Sequence, residues 1–300
     1  MKKQRLIVLL ISILLIPCTK TSAQRTLGKC EIGIAGGGMN YLGDLNGQSM
    51  LGRLNLGYGG FFRYNLDDRW SVHVSMNYGQ VEGGNPRMLE GVKGDCIERR
   101  NLSFLSPIYE ASGRFEFNFL PFGLNGNQYH WTPFIFAGLG LFSFNPTTLY
   151  VDPMTGEQRW IDLQPLGTEG QGTEEYASRT KYTLIQMIMP FGLGFKFKPN
   201  KIFAFSIEYG FRKTWTDYLD DVSLTYVGNN LLNHYHPDGM AATLADRTSE
   251  VVPGFENAEG IKRGDDSLND WYSFINCTLS FRLDKLLWFV GKKKCDNKNY

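Results

Sequence analysis

Several short groupings in the sequence bring together residue types that do chemistry. His73-Val74-Ser75 puts an imidazole and a hydroxyl on one face of an extended segment, because side chains alternate along a strand. With a carboxylate nearby, such a pair could provide general base catalysis in a lipid-modifying enzyme. It falls near the start of its strand and on the polar face, so an interior polar pair is the expected role. Asn233-His234-Tyr235-His236 offers two imidazoles two residues apart, the beginning of a metal site. It stands alone in a long connecting segment. Asp217, Asp220 and Asp221, with Asp265, Asp266 and Asp270, could bind calcium, or lipopolysaccharide through bridging cations. Their spacing is not that of an EF-hand, and solvated loop charge is the expected reading. Gly167-Thr168-Glu169-Gly170-Gln171-Gly172 lacks the Gly-Lys-Ser/Thr ending of a phosphate loop and reads as a turn. Lys292-Lys293-Lys294 reads as a solvated tail. No catalytic residue, cofactor or metal site is expected, and the chain does not read as an enzyme.

The elements that carry these groups read as strands. The clearest is 108–119, where Tyr109, Ala111, Gly113, Phe115, Phe117 and Phe119 alternate with Glu110, Ser112, Arg114, Glu116 and Asn118. Trp70, Val72, Val74, Met76 and Tyr78 alternate with Ser71, His73, Ser75 and Asn77. Segment 202–212 repeats the pattern, and weaker segments lie near 32–42, 54–64, 133–144, 186–197 and 271–283. Each matches the ~9–11 residues that carry a tilted strand across a bilayer. The connections 65–69, 121–131 and 198–201 are short, and they alternate with the mostly longer 43–53, 82–106, 145–185 and 213–270. Outer-membrane barrels have this rhythm of short periplasmic turns and long outer loops.

The fold expected is therefore all-β: an eight-stranded antiparallel transmembrane β-barrel with both termini periplasmic. A soluble barrel would also alternate, but would turn its charged face outward. Here Arg63, Glu110, Arg114, Glu116, Lys196, Glu208, Arg212 and Arg282 share the presumed interior, where opposite charges pair and no stable pore remains. Aromatic rings near strand ends (Tyr64, Trp70, Trp131, Phe134, Trp215, Tyr218, Trp271 and Tyr272) suit the membrane interface.

The N-terminus fits this export route. Lys2, Lys3 and Arg5 precede an apolar run over 6–16, and Thr21-Ser22-Ala23 suits cleavage before Gln24. Residues 1–23 thus read as a signal peptide, 24–283 as the barrel and 284–300 as a periplasmic tail. Cys18 follows Pro17, a poor lipoprotein site. A formal net charge of +1 argues against a nucleic-acid partner, and nothing marks a small-molecule substrate. The exported chain would carry Cys30, Cys96, Cys277 and Cys295 with no CxxC spacing, so disulfides are more plausible than zinc. Barrel closure makes the first and last strands neighbours. Cys30 and Cys295 are therefore the candidates for a disulfide, or for a covalent link from one of them to a partner.

As an ordered series, several motifs resemble the PorG-like outer-membrane proteins of the type IX secretion and gliding machinery. They include Asn40-Tyr41-Leu42-Gly43-Asp44, Phe61-Phe62-Arg63-Tyr64-Asn65 and Arg100-Asn101-Leu102-Ser103-Phe104. The most specific is Arg212-Lys213-Thr214-Trp215-Thr216-Asp217-Tyr218-Leu219-Asp220-Asp221-Val222-Ser223, and Asp270-Trp271-Tyr272-Ser273-Phe274 closes the series. The resemblance implies a non-enzymatic scaffold that anchors a periplasmic ring of PorK and PorN type to the outer membrane. It would dock through residues 24–30, 65–69, 198–201 and 284–300, with outer-membrane lipids as the other partner. The alternative is a general envelope barrel of OmpA or OmpX type, acting in adhesion or membrane integrity through its outer loops.

Overall fold

The computed structural model describes residues 29–46, 53–84, 100–122 and 129–287. The expected signal peptide, Cys96, Cys295 and most of the expected tail lie outside the described residues.

Eight strands form the wall: β1 (Cys30–Leu42), β2 (Asn55–Asn65), β3 (Trp70–Gly84), β4 (Ser103–Asn118), β5 (Trp131–Phe144), β8 (Ile185–Phe197), β9 (Phe203–Thr214) and β10 (Trp271–Arg282). Each pairs antiparallel with its neighbours, and β1 pairs with β10 to close the cylinder. Closure leaves no open wall edge, so backbone groups bond within the sheet rather than to lipid. Gly37 shows how tightly the seam is drawn, because a Cβ there would collide with the Ile275 carbonyl oxygen on β10. Among the described residues no helix is long and apolar enough to cross a membrane; the strands do that work.

The two faces of the wall differ in the sense that lipid requires. One lateral row runs Leu279, Ile34, Gly60, Met76, Ala111, Leu141 and Met187 in register across seven strands. Ile34, Met76, Leu141 and Met187 of that row are exposed, while Glu110, Arg114 and Glu116 on the other face of β4 are buried. At the end carrying the chain termini the turns are pinned by side chains. Asp67 Oδ1 accepts the N–H groups of Arg69 and Trp70 at 2.7 and 2.8 Å, and Asn200 Oδ1 accepts those of Ile202 and Phe203.

Three features go beyond the sequence expectations. β3 and β4 run longer than expected, and their ladder reaches Gly84 and Ser103 above the barrel. The segment 145–185 contains a further hairpin, β6 (Thr147–Val151) and β7 (Gln158–Asp162), which extends the β4 side of the sheet. The segment 213–270 carries two short helices, α1 (Asn229–Tyr235) and α2 (Met240–Ala245). Together these form a folded cap on the loop end. Of the expected interfacial aromatics, Trp70, Trp131 and Trp215 are exposed, but Phe134 and Tyr272 point inward and are buried. β5 is apolar on both faces, and β10 is largely so over its first four residues, so ring position along the sequence does not reveal ring direction.

Candidate functional site

The interior nearer the chain termini is an ionic plug centred on Glu116, which has no solvent exposure. Register explains the convergence. His73 pairs with Arg114, Ser71 with Glu116, and Arg63 with His73, so successive inward positions of β2, β3 and β4 lie side by side. Glu116 Oε2 is 2.9 Å from Arg63 Nε and 2.7 Å from Lys196 Nζ. Its Oε1 is 2.8 Å from His73 Nδ1 and 2.9 Å from an Arg114 terminal nitrogen. Arg63 also meets Glu31 at 2.9 Å, and Arg114 meets Glu208 at 2.6 Å. The carboxylates Glu31, Glu116 and Glu208 thus balance Arg63, Arg114 and Lys196. A separate pair, Arg212 with Glu110 at 3.1 Å, is completed by the Tyr272 hydroxyl donating to Glu110 at 2.9 Å.

Aromatic rings insulate the plug. The Phe136 ring lies 4.1 Å from the Arg114 guanidinium carbon, and the Phe134 ring 4.3 Å from Lys196 Nζ. Toward the loop end the lumen turns apolar: Met39, Ile108, Phe142, Phe144, Ile188 and Phe274 form a core continuous with Leu163, Leu219, Val222 and Leu244 of the cap. Barrel and cap therefore share one core.

The cap is held by buried ions. Arg263, 1% exposed, meets Glu169 at 3.1 Å and donates to the backbone oxygens of Asp221 and Ala245. Glu169 in turn accepts the N–H groups of Ser223 and Leu224, both at 2.9 Å. Asp221, in the left-handed region at φ 66°, accepts hydroxyls from Thr168 and Tyr182. Tyr41 at the end of β1 reaches both Asp220 and Asp270. Four of the six loop aspartates are thus not solvated charge, a correction to the sequence reading: Asp217, Asp220, Asp221 and Asp270 are buried, while Asp266 is exposed and Asp265 half-buried. Burial pushes the Asp221 carboxyl up to about 6, despite the opposing pull of Arg263. Burial likewise raises Asp220 and Asp270, and pushes Asp217 up to about 7, with Asp44, Glu169 and Asp266 adding to the effect.

Seven of the eight expected interior charges enter the two ionic groups. Arg282 does not: it pairs with Asp284 at 2.6 Å near the terminal rim. Glu31 and His73 are plug members outside that expected set. His73 is committed to Glu116, and Ser75 Oγ lies 3.2 Å from Ser112 Oγ, so the two do not form a nucleophile–base pair. His234 and His236 sit at the end of α1, and among the described residues no three His, Cys, Asp or Glu side chains stand at metal-holding spacing. The Gly167–Gly172 segment is a turn, with Gly167, Gly170 and Gly172 all at positive φ. Cys30 is buried at the start of β1, and Cys277 is exposed on the outer wall.

An inverted wall, a charge-balanced plug and a fused cap define a closed outer-membrane-type β-barrel. By sequence, the chain belongs to the family described as a domain of unknown function, DUF6089, matched over residues 4–162. No curated protein matches it. Among solved structures it is similar to Neisserial surface protein A, at 7% identity and a TM-score of 0.38, covering 85% of this chain and 97% of that one. It is also similar to the attachment invasion locus protein Ail of Yersinia pestis, solved with the heparin analogue sucrose octasulfate. That match has 10% identity and a TM-score of 0.36, covering 84% and 96%. OprG of Pseudomonas aeruginosa matches at 13% identity and a TM-score of 0.36, covering 84% and 96%.

Proposed function

We propose that the protein is a non-enzymatic, non-conducting outer-membrane barrel that works through its folded outer cap, in adhesion or envelope integrity. The observation that carries this reading is the single core running from Met39 and Phe274 in the lumen to Leu219, Val222 and Leu244 in the cap. A chain that folds its connecting segments into the barrel core presents a fixed surface on that side. In this reading both termini and the pinned turns face the periplasm.

A second reading is the type IX secretion scaffold, holding a PorK–PorN ring at the terminal rim. The ordered motif series supports it, together with the rigid turns around Asp67 and Asn200 that would form the docking face. Cys30, at the start of β1, would be the covalent anchor at that face or the partner of Cys295.

The two readings separate by the rim that matters. The chain would be tagged in an outer loop, and outer membranes solubilised under thiol-blocking conditions. Three forms would be compared: unaltered, with residues 225–260 replaced by a short linker, and with Arg69, Lys198 and Lys201 substituted together. Sensitivity to detergents and loss of surface attachment on trimming 225–260, with the barrel recovered alone, supports the cap reading. Recovery of ring-type lipoproteins, lost with the rim substitutions or in a reducible adduct lost in Cys30→Ser, refutes it in favour of the scaffold.

A further inference from the structure

The loop end is fastened by a hydroxyl with too few protons for the bonds it makes. Tyr41 Oη lies 2.6 Å from Asp220 Oδ2 and 2.7 Å from Asp270 Oδ1. A phenol carries one proton and donates once. The second short oxygen–oxygen contact therefore needs a carboxylic acid that donates back to the phenol oxygen. The remaining carboxyl oxygens are already committed, Asp220 Oδ1 to the Val222 N–H and Asp270 Oδ2 to the Leu219 N–H. Nearby Asp217 is 8% exposed, and its carboxyl oxygens are buried with the Ser223 side chain as the neighbouring donor, outside good hydrogen-bond geometry.

The groups facing this cluster do not offer a cation to replace the missing protons. β1 and the turn after it bring Tyr41 and Asp44. The 163–184 segment brings Glu169 and Tyr182. The segment after β9 brings Asp217, Tyr218, Asp220 and Asp221, and the stretch before β10 brings Arg263, Asp265, Asp266 and Asp270. Arg263 is committed to Glu169 and Asp221, and Arg100 donates to the backbone oxygens of Arg263 and Asp44. Lys262 pairs with Asp265 on the surface. A metal ion is a poor substitute, since among the described residues no three ligating side chains stand at metal-holding spacing and the Asp217 oxygens are sealed from solvent.

We propose that the cap is an acid-locked lid: protons held in the Asp220–Tyr41–Asp270 bridge and on Asp217 fasten the 215–223 segment and the foot of β10 to the end of β1, and their loss releases that segment. The direction follows from linkage. A carboxyl whose pKa is raised in the closed form favours closure fully below its ordinary value, and loses that contribution as pH rises through the raised value. For Asp217 the window runs from the ordinary 3.8 to about 7. Within such a window, for each proton held only by the closed form, the closed-to-open ratio falls about tenfold with each unit rise in pH.

The test is hydrogen–deuterium exchange of the full chain in lipid vesicles at about pH 5 and pH 8, with labelling times scaled for the base-catalysed chemical rate. Peptides covering 215–223 and 265–270 are expected to lose at least tenfold in protection at the higher pH, while peptides from β4 and β9 hold theirs. Asp270→Asn supplies a permanent amide donor to the phenol oxygen and should weaken the pH dependence, leaving the part that Asp217 carries. Tyr41→Phe removes the bridge and should leave the segment as exposed in acid as the unaltered protein is at pH 8. Equal protection at both pH values in the unaltered protein would overturn the proposal. So would an Asp270→Asn variant with undiminished pH dependence. Should Tyr41→Phe fail to fold, the other two comparisons decide.

Discussion

Glu116→Gln tests whether the lumen is held by charge balance or merely filled. The substitution keeps the side chain's size and one acceptor oxygen but removes the charge facing Arg63, Arg114 and Lys196. The plug would then hold three cations against Glu31 and Glu208. Leaving a buried charge without its partner costs about 3–5 kcal/mol, and the retained acceptor puts the expected loss at the lower end, about 3 kcal/mol. No discount for solvent screening applies, because Glu116 is fully buried and Lys196 2% exposed. A loss of about 3 kcal/mol is more than a hundredfold in the folded-to-unfolded ratio. Urea unfolding from lipid vesicles, followed by tryptophan fluorescence, would measure it. The structure also dictates a rescue. Adding Lys196→Met leaves Arg63 with Glu31 and Arg114 with Glu208, a balanced set. The double variant should be more stable than the sum of the single losses predicts by about 2 kcal/mol. A single loss below about 1 kcal/mol, or strictly additive losses, would refute the charge-balance argument.

Three further outcomes follow from the same geometry. The purified barrel should give no steady conductance in planar bilayers, because the ionic plug and the apolar layer above it both fill the lumen; sustained channel currents would contradict this. Arg263→Ala should leave the heat-modifiable barrel band on gels intact while opening 213–270 to proteolysis, since Glu169 and Asp221 lose their buried cation; unchanged cleavage would show that the cap is held otherwise. Gly37→Val should block folding in vesicles, because its side chain must enter the β10 backbone at Ile275; a folded band at the normal yield would show that the seam is looser than drawn.

How much of this was legible in the sequence depended on whether a strand's two faces differ chemically. β4 was plain because Phe115 and Phe117 alternate with Arg114 and Glu116, and the plug residues could be read from that alternation. β5 was faint because Phe134, Phe136 and Phe142 point inward while Ile135, Leu139 and Leu141 point outward, and both sets are apolar. β1 was blurred by Gly36, Gly37 and Gly38, which have no side chains to alternate. Glu31 escaped because it sits one residue inside a strand whose pattern was weak. The β6–β7 hairpin stands above the membrane, where no one-sided apolar pattern is required, so its five-residue strands left no signal. The buried aspartates were misread for a different reason. Their partners are far away in sequence, Tyr41 lying 179 residues from Asp220 and 229 from Asp270. No local pattern announces a donor that arrives from the other end of the chain.

The plug also constrains how the protein can enter a bilayer. Arg63 on β2 has Glu31 within its own hairpin, but Glu116 on β4 needs Lys196 on β8 and Arg114 on β4 needs Glu208 on β9, so neither the β3–β4 hairpin nor β5–β8 carries a neutral set of its own. A hairpin crossing alone would strand an ion in hydrocarbon, where each costs several kcal/mol. Those ions neutralise one another only when β4, β8 and β9 have come together around the common axis. Insertion and closure are therefore one event for this chain, and a half-built cylinder has no resting place in the membrane.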